Sequence, residues 1–167
     1  MNKREIDAAV KAALKSGLWM LRRSDDGVSC SSDANGFKWA PVGKWTTARD
    51  WNKKAECGGG LHGNGPNTSP TECHWTNGTR LEFCEIENPF VYVGDKRGKV
   101  KCKRARILLV NKLPEGLTKF NGSLDLRGCT QLKSLGVLKE VAGFLDLRGS
   151  GVKDIPKDIK VVGNIIR

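Results

Sequence analysis

No run of apolar residues in this 167-residue chain is long enough to span a membrane; the longest, Leu18–Leu21 and Ile107–Val110, are strand-sized. The N-terminal segment is charged and amphipathic, and it lacks the apolar stretch and small-residue cleavage site of a secretion signal. These absences set the expectation of a cytoplasmic protein without a membrane partner. Its six cysteines (30, 57, 73, 84, 102 and 129) are then reduced thiols or metal ligands, with a disulfide framework as the alternative that the even count leaves open. Histidine occurs twice and tyrosine once. There is no C-x2-C pair, no lysine at Walker spacing after the glycine-rich stretch 57–65, and no dinucleotide fingerprint, so a phosphate-cradling loop is discarded. Acid is scarce against base: 18 Asp and Glu oppose 29 Lys and Arg, for a formal charge of +11. That excess draws anionic partners and says nothing about fold.

What is present begins with residues 3–16, where Ile6, Val10, Ala13 and Leu14 recur at helical spacing and Gly17 supplies a stop. "LWMLRR" (18–23) reads as a strand and "SDDG" (24–27) as a turn. Turn signals fill 28–45 around Phe37 and Trp39. A second, short helix is expected through "ARDWNKKAE", capped by Thr46 or Thr47. Four of the five tryptophans fall between 39 and 75, the mark of a small core built on large rings. Residues 63–79, rich in Gly, Asn, Pro, Ser and Thr, are long enough for a lid or binding loop. Strands follow at 80–87, 90–94 and 98–110. In the last of these the facing pattern requires a register slip, expected as a bulge near 103–105.

From Leu113 the chain repeats itself. "GSLDLRGCTQLKSLGVLKEVAG" is followed by "GFLDLRGSGVKDIPKDIKVVG", then by "GNIIR", with Gly122, Gly143 and Gly163 spaced 21 and 20 residues apart. Leu145 and Leu147 are expected to stack on Leu124 and Leu126 one rung along, with Asp125, Arg127, Asp146 and Arg148 pointing outward. The final strand, "NIIR", is then an open edge. Where the flanking copies place Pro114 and Pro156, the middle copy has Gly136.

The "SLDLRG…L..LP..L.V.G" pattern, over about residues 113–167, resembles the short leucine-rich-repeat tails of bacteriophage and bacterial proteins. The front segments "GFKW…DW…ECGGGLHG" and "GKVKCKRARIL" also look like the N-terminal region of such proteins. The resemblance implies a phage or prophage origin and no particular reaction.

Three constellations can carry chemistry. Cys57, His62, Cys102 and one of Cys73, His74 or Cys84 form a candidate set for structural zinc. Cys57 with a histidine is a candidate thiolate–imidazolium pair, and His62-Gly63 together with Glu85-x-Glu87 resembles fragments of ADP-ribosyltransferase motifs. Lys96, Arg97, Lys99, Lys101, Lys103, Arg104 and Arg106 form a basic run. On a strand, Lys99, Lys101 and Lys103 would make one cationic row, which Arg22, Arg23, Lys53 and Lys54 would extend if they lie nearby, with Arg127 and Arg148 as further candidates on the repeat.

The expected fold class is α+β: a small mixed domain with antiparallel strands and two helices (1–110), continued by a short leucine-rich-repeat-like solenoid (111–167). The expected function is a phage-derived binding protein, most concretely an inhibitor of a bacterial defence system of the anti-CRISPR kind. Its expected partner is a protein or ribonucleoprotein with an acidic surface, and the chain is a monomer or an edge-strand dimer. The alternatives are a small Cys/His enzyme (a hydrolase or an ADP-ribosyltransferase-like protein) and a direct nucleic-acid binder.

Overall fold

Asn2 starts the only helix among the described residues. Its Oδ1 accepts the Glu5 amide at 3.0 Å while the Glu5 carboxylate accepts the Asn2 amide at 2.7 Å, a reciprocal cap that satisfies two donors at once. The helix, α1 (Lys3–Ser16), stops at Gly17, whose φ of 71° a side chain would resist. The computed structural model describes every residue except 30–35, 73, 74 and 76.

Seven strands build the front of the molecule: β1 (Trp19–Ser24), β2 (Trp45–Thr47), β3 (Leu61–Gly63), β4 (Arg80–Ile86), β5 (Phe90–Val93), β6 (Lys99–Cys102) and β7 (Arg104–Val110). They form two antiparallel sheets, of order β1-β4-β7-β2 and β3-β6-β5. The larger sheet is buried on both faces, and strand alternation sorts its side chains. Trp19, Leu21, Leu81 and Phe83 face α1 and the repeats, whereas Met20, Cys84, Ile86, Ala105 and Ile107 face the smaller sheet. Each fully buried side chain of this kind contributes about 1.5–3 kcal/mol.

The repeats add six strands of two residues each: β8 (Lys119–Phe120), β9 (Leu124–Asp125), β10 (Glu140–Val141), β11 (Leu145–Asp146), β12 (Lys160–Val161) and β13 (Ile165–Ile166). They stack in parallel as β8-β10-β12 and β9-β11-β13. The period sets the register: Leu145 pairs with Leu124 and with Ile165, and Val141 with Phe120 and Val161. At Gly136 φ is 61°, a value closed to proline, so the middle copy turns its corner by another backbone route than a proline would take.

The expected two-helix α+β domain followed by a solenoid is not this architecture. Among the described residues there is one helix, and the rest of the regular structure is strand, in four sheets. One hydrophobic core runs from Ala9 and Phe83 into Leu124, Leu145 and Val152. The expected second helix, 48–56, is turn and irregular chain, with Asn52 Oδ1 and the Glu56 carbonyl turned onto Lys101 Nζ. The residues before it, Trp45, Thr46 and Thr47, aromatic and β-branched, pair as β2 with Arg104–Arg106. Thr46 does not cap a helix; its Oγ1 accepts the Ala40 amide at 2.9 Å. The expected single strand 98–110 is two strands in two different sheets, broken at Lys103. The register shift falls opposite Phe83 and Cys84 instead, leaving Leu108 as the extra residue. It turns Leu108 and Leu109 toward the helix side while Ile107 stays on the other.

Candidate functional site

The glycine-rich turn at 56–60 wraps a lysine. Lys101 lies on β6, fully buried, and its Nζ donates to Asn52 Oδ1 at 3.1 Å, to the Glu56 carbonyl at 3.1 Å and to the Gly58 carbonyl at 3.0 Å. The Trp51 ring centroid lies 5.9 Å from the same ammonium. Three oxygens and a ring face thus replace its hydration shell, the condition for burying a charge without a carboxylate. The turn closes only with glycine. Gly58 and Gly59 have φ of 83° and 61°, a Cβ at Gly59 would fall on the Asn52 side chain, and one at Gly60 would meet Lys101 Cγ at 2.6 Å.

This geometry separates the candidate metal ligands. On the β3–β6 ladder Leu61 pairs with Cys102 and His62 with Lys101, so Cys102 shares a face with Leu61 and His62 lies on the other. Cys102 is in the core, its thiol pushed up to about 12 by burial and by the nearby Glu87. Cys57 is exposed on the turn. Burial, then Lys99 and Lys101, lower His62 to about 4, so it is neutral near pH 7 and is no imidazolium partner for a thiolate. Cys84 is buried, its thiol held up by burial and Glu82. Among the described residues no three His, Cys, Asp or Glu side chains meet as a metal-holding group. Cys73 and His74 lie outside the described residues. Of the ADP-ribosyltransferase-like fragments, His62-Gly63 is on β3, while Glu85 pairs with Arg106 at 2.6 Å and Glu87 with Arg104 at 2.8 Å.

The basic run does not form one cationic row. Lys101 is enclosed as described, Lys99 is half-buried, and Lys103 is exposed at the break between sheets. Lys96 pairs with Glu72 at 3.0 Å, and Arg97 lies over Tyr92 at 5.3 Å. Arg104 and Arg106, besides their glutamates, lie 5.0 and 4.8 Å from the Trp45 ring centroid. Arg22 and Arg23 are buried, on opposite faces of β1. Arg22 stacks 4.0 Å from the Trp39 ring centroid and meets Glu82 at 3.4 Å. Arg23 reaches Asp125 at 3.3 Å and the Arg127 carbonyl at 2.7 Å. They tie the molecule together, and the sequence showed no sign of it, because their partners lie about a hundred residues away or across the sheet.

In the repeat, the D-L-R-G motif is a local clamp. Asp125 Oδ1 accepts the Arg127 amide at 3.1 Å, and the Arg127 guanidinium closes on the same carboxylate at 2.7 Å. Asp146 and Arg148 repeat this at 3.2 and 2.6 Å, and Arg127 also approaches Asp146 at 3.5 Å. The aspartates therefore do not point out into solvent as expected: both are buried, with half-exposed arginines over them. At Asp146 burial raises the carboxyl, but the hydrogen bonds and charge of Arg148 outweigh it and the net direction is down.

The described part of the expected lid is fastened at both ends. Asn64 and Leu21 exchange backbone hydrogen bonds at 2.7 and 2.8 Å, Asn121 Nδ2 donates to the Pro66 carbonyl at 2.7 Å, and Trp75 Nε1 donates to the Ser123 carbonyl at 2.6 Å. Ser123 Oγ also donates to the Pro70 carbonyl. The segment bridges the front sheet to the first repeat.

What stays open is the last rung. Positions buried in the first two rungs (Leu124 and Leu145, Phe120 and Val141) are occupied at the third by Ile165, 44% exposed, and by half-buried Val161. Val162, 63% exposed, is the most exposed large apolar residue of the described chain. Among the described residues β12 and β13 have strand neighbours on one side only. Comparison with protein-family models, with curated proteins and with solved structures gave no match to this chain.

Proposed function

We propose that this chain is a binding protein that docks on a protein partner through the open end of its repeat stack. The phage-like repeat suggests the concrete form: an inhibitor of a bacterial defence system, of the anti-CRISPR kind, acting in the host cytoplasm. The observation that carries the reading is the apolar third rung: Val161 and Ile165 continue the interior as an open edge among the described residues, and Val162 lies exposed beside them. Lys153 and Lys157 on the coil leading into β12, with Lys160 on β12 itself, outnumber Asp154 and Asp158 by one charge, which favours a partner whose apolar patch has an acidic rim.

The test is a plaque assay in a CRISPR-carrying bacterium challenged with a targeted phage. The parent chain restores plaques, and the double variant Val162→Asp/Ile165→Asp, with an unchanged melting temperature, does not. Equal plaque numbers for the two chains would sink the docking face, and no restoration by the parent would sink the defence target. Gel filtration tells a second copy from a foreign partner: a dimer that the double variant dissociates assigns the edge to self-pairing.

A further inference from the structure

One face of α1 carries positive charge with no internal use. Arg4, Lys11 and Lys15, with Lys3 beside them, are exposed and form no ion pair among the described residues, unlike Lys96, Arg104 and Arg106. At 100° per residue, Arg4, Ala8, Lys11 and Lys15 follow steps of four, three and four and fall on one line, opposite the buried Ala9, Val10 and Ala13. Ala8 and Ala12 leave low relief between the cations, and Lys3, Arg4, Asp7, Ala8 and Lys11 line a shallow open depression. Beyond the helix start, Lys44 follows Gly43, where a Cβ would meet Met1 at 3.1 Å, which adds a further exposed cation at that end.

We propose that this helix face binds the backbone of a nucleic-acid duplex. From Arg4 to Lys15 the row runs about 16 Å along a rigid rod. Each strand of a duplex offers one negative charge per about 3.4 Å of its axis. A straight row of cations matches that regular line of charge, whereas the scattered carboxylates of an acidic protein surface offer no such register. A lipid surface is the poorer fit, because the apolar side of α1 is already spent on the core and has nothing left to insert. Asp7 at the flank keeps the row narrow, suited to one backbone strand. The surface is separate from the open end of the repeats: Leu14 packs at Gly116, before the first rung, while Val162 and Ile165 lie on the third. A target that combines protein and nucleic acid can therefore be held at both places.

The test is fluorescence anisotropy of the full chain with a mixed-sequence DNA duplex of about 24 base pairs, titrated between about 50 and 200 mM salt. Three phosphate contacts predict an affinity loss of about 40-fold across that range. The triple variant Arg4→Ala/Lys11→Ala/Lys15→Ala, which keeps good helix formers at each site, weakens binding at low salt by about tenfold or more and flattens the salt dependence. Circular dichroism and thermal melting establish that it is folded. A second variant, Lys96→Ala/Lys103→Ala, binds as the parent does. The proposal is overturned if the parent does not bind the duplex at low salt, if the folded triple variant binds like the parent, if the Lys96/Lys103 variant loses as much, or if polyglutamate or anionic vesicles bind the parent as tightly as the duplex.

Discussion

The front sheets and the repeat stack both bury charge, but they neutralise it at different ranges. In the repeats the partner is two residues away: Arg127 closes on Asp125 and Arg148 on Asp146 within one turn. In the front, Lys101 is held by oxygens of residues 52, 56 and 58, and Arg23 by Asp125, 102 residues further along the chain. A local clamp forms with its own repeat and leaves its arginine half exposed. A distant one forms only when the whole core has closed, and then the charge has no route to water.

That difference predicts unequal costs. The largest effect is expected for Arg23→Met, which strands the buried Asp125 with one partner fewer. A loss of about 3–5 kcal/mol is expected in urea or thermal unfolding, against a much smaller loss for Arg127→Ala at the exposed end of the same carboxylate. Equal losses would erase the distinction between local and distant clamps.

Next comes Lys101→Met, which leaves the Glu56 and Gly58 carbonyls and Asn52 Oδ1 turned inward without a donor. About 2–4 kcal/mol is expected, together with faster amide exchange over residues 52–60, since the turn is wound on the ammonium. A variant that is destabilised elsewhere while the turn stays protected would assign Lys101 no role in holding it.

The smallest of the three is a pH effect at His62. Its folded pKa of about 4 lies below the ordinary 6.5, so between these values the unfolded chain binds the extra proton and stability falls as pH falls. Lowering the pH from 7 to 5 should cost about 2 kcal/mol from this residue. His62→Gln should remove most of that slope while leaving stability at pH 7 little changed. A slope untouched by the substitution would move the titration elsewhere.

Legibility followed the range of the interactions. The 3.6-residue pattern and Gly17 located α1, alternation located β4, and short apolar runs located β1 and β5, because each element's own side chains carry the signal. The repeat period stacks Leu145 on Leu124, which is their register in the sheet, and Ile165 continues the column. The reading failed where neighbours overrode local preference. Trp45–Thr47 joined a sheet edge offered by β7, and 98–110 divided at Lys103 to serve two sheets. The candidate site fared similarly. Cys57, His62 and Cys102 belong to one turn-and-ladder unit, but Cys57 is exposed on the turn and the pairing register puts Cys102 and His62 on opposite faces.

The sequence by itself determined the helix, the 20- to 21-residue rung, the glycines a sharp turn needs and the surplus of positive charge, since each is written in neighbouring residues. Tertiary structure alone decided which charges are spent inside and which remain for a partner. A lysine on a strand looks the same in sequence whether it faces solvent or three carbonyl oxygens. What distinguishes them is the placement of residues 43 to 49 positions away, and the energy of desolvation makes that placement decisive.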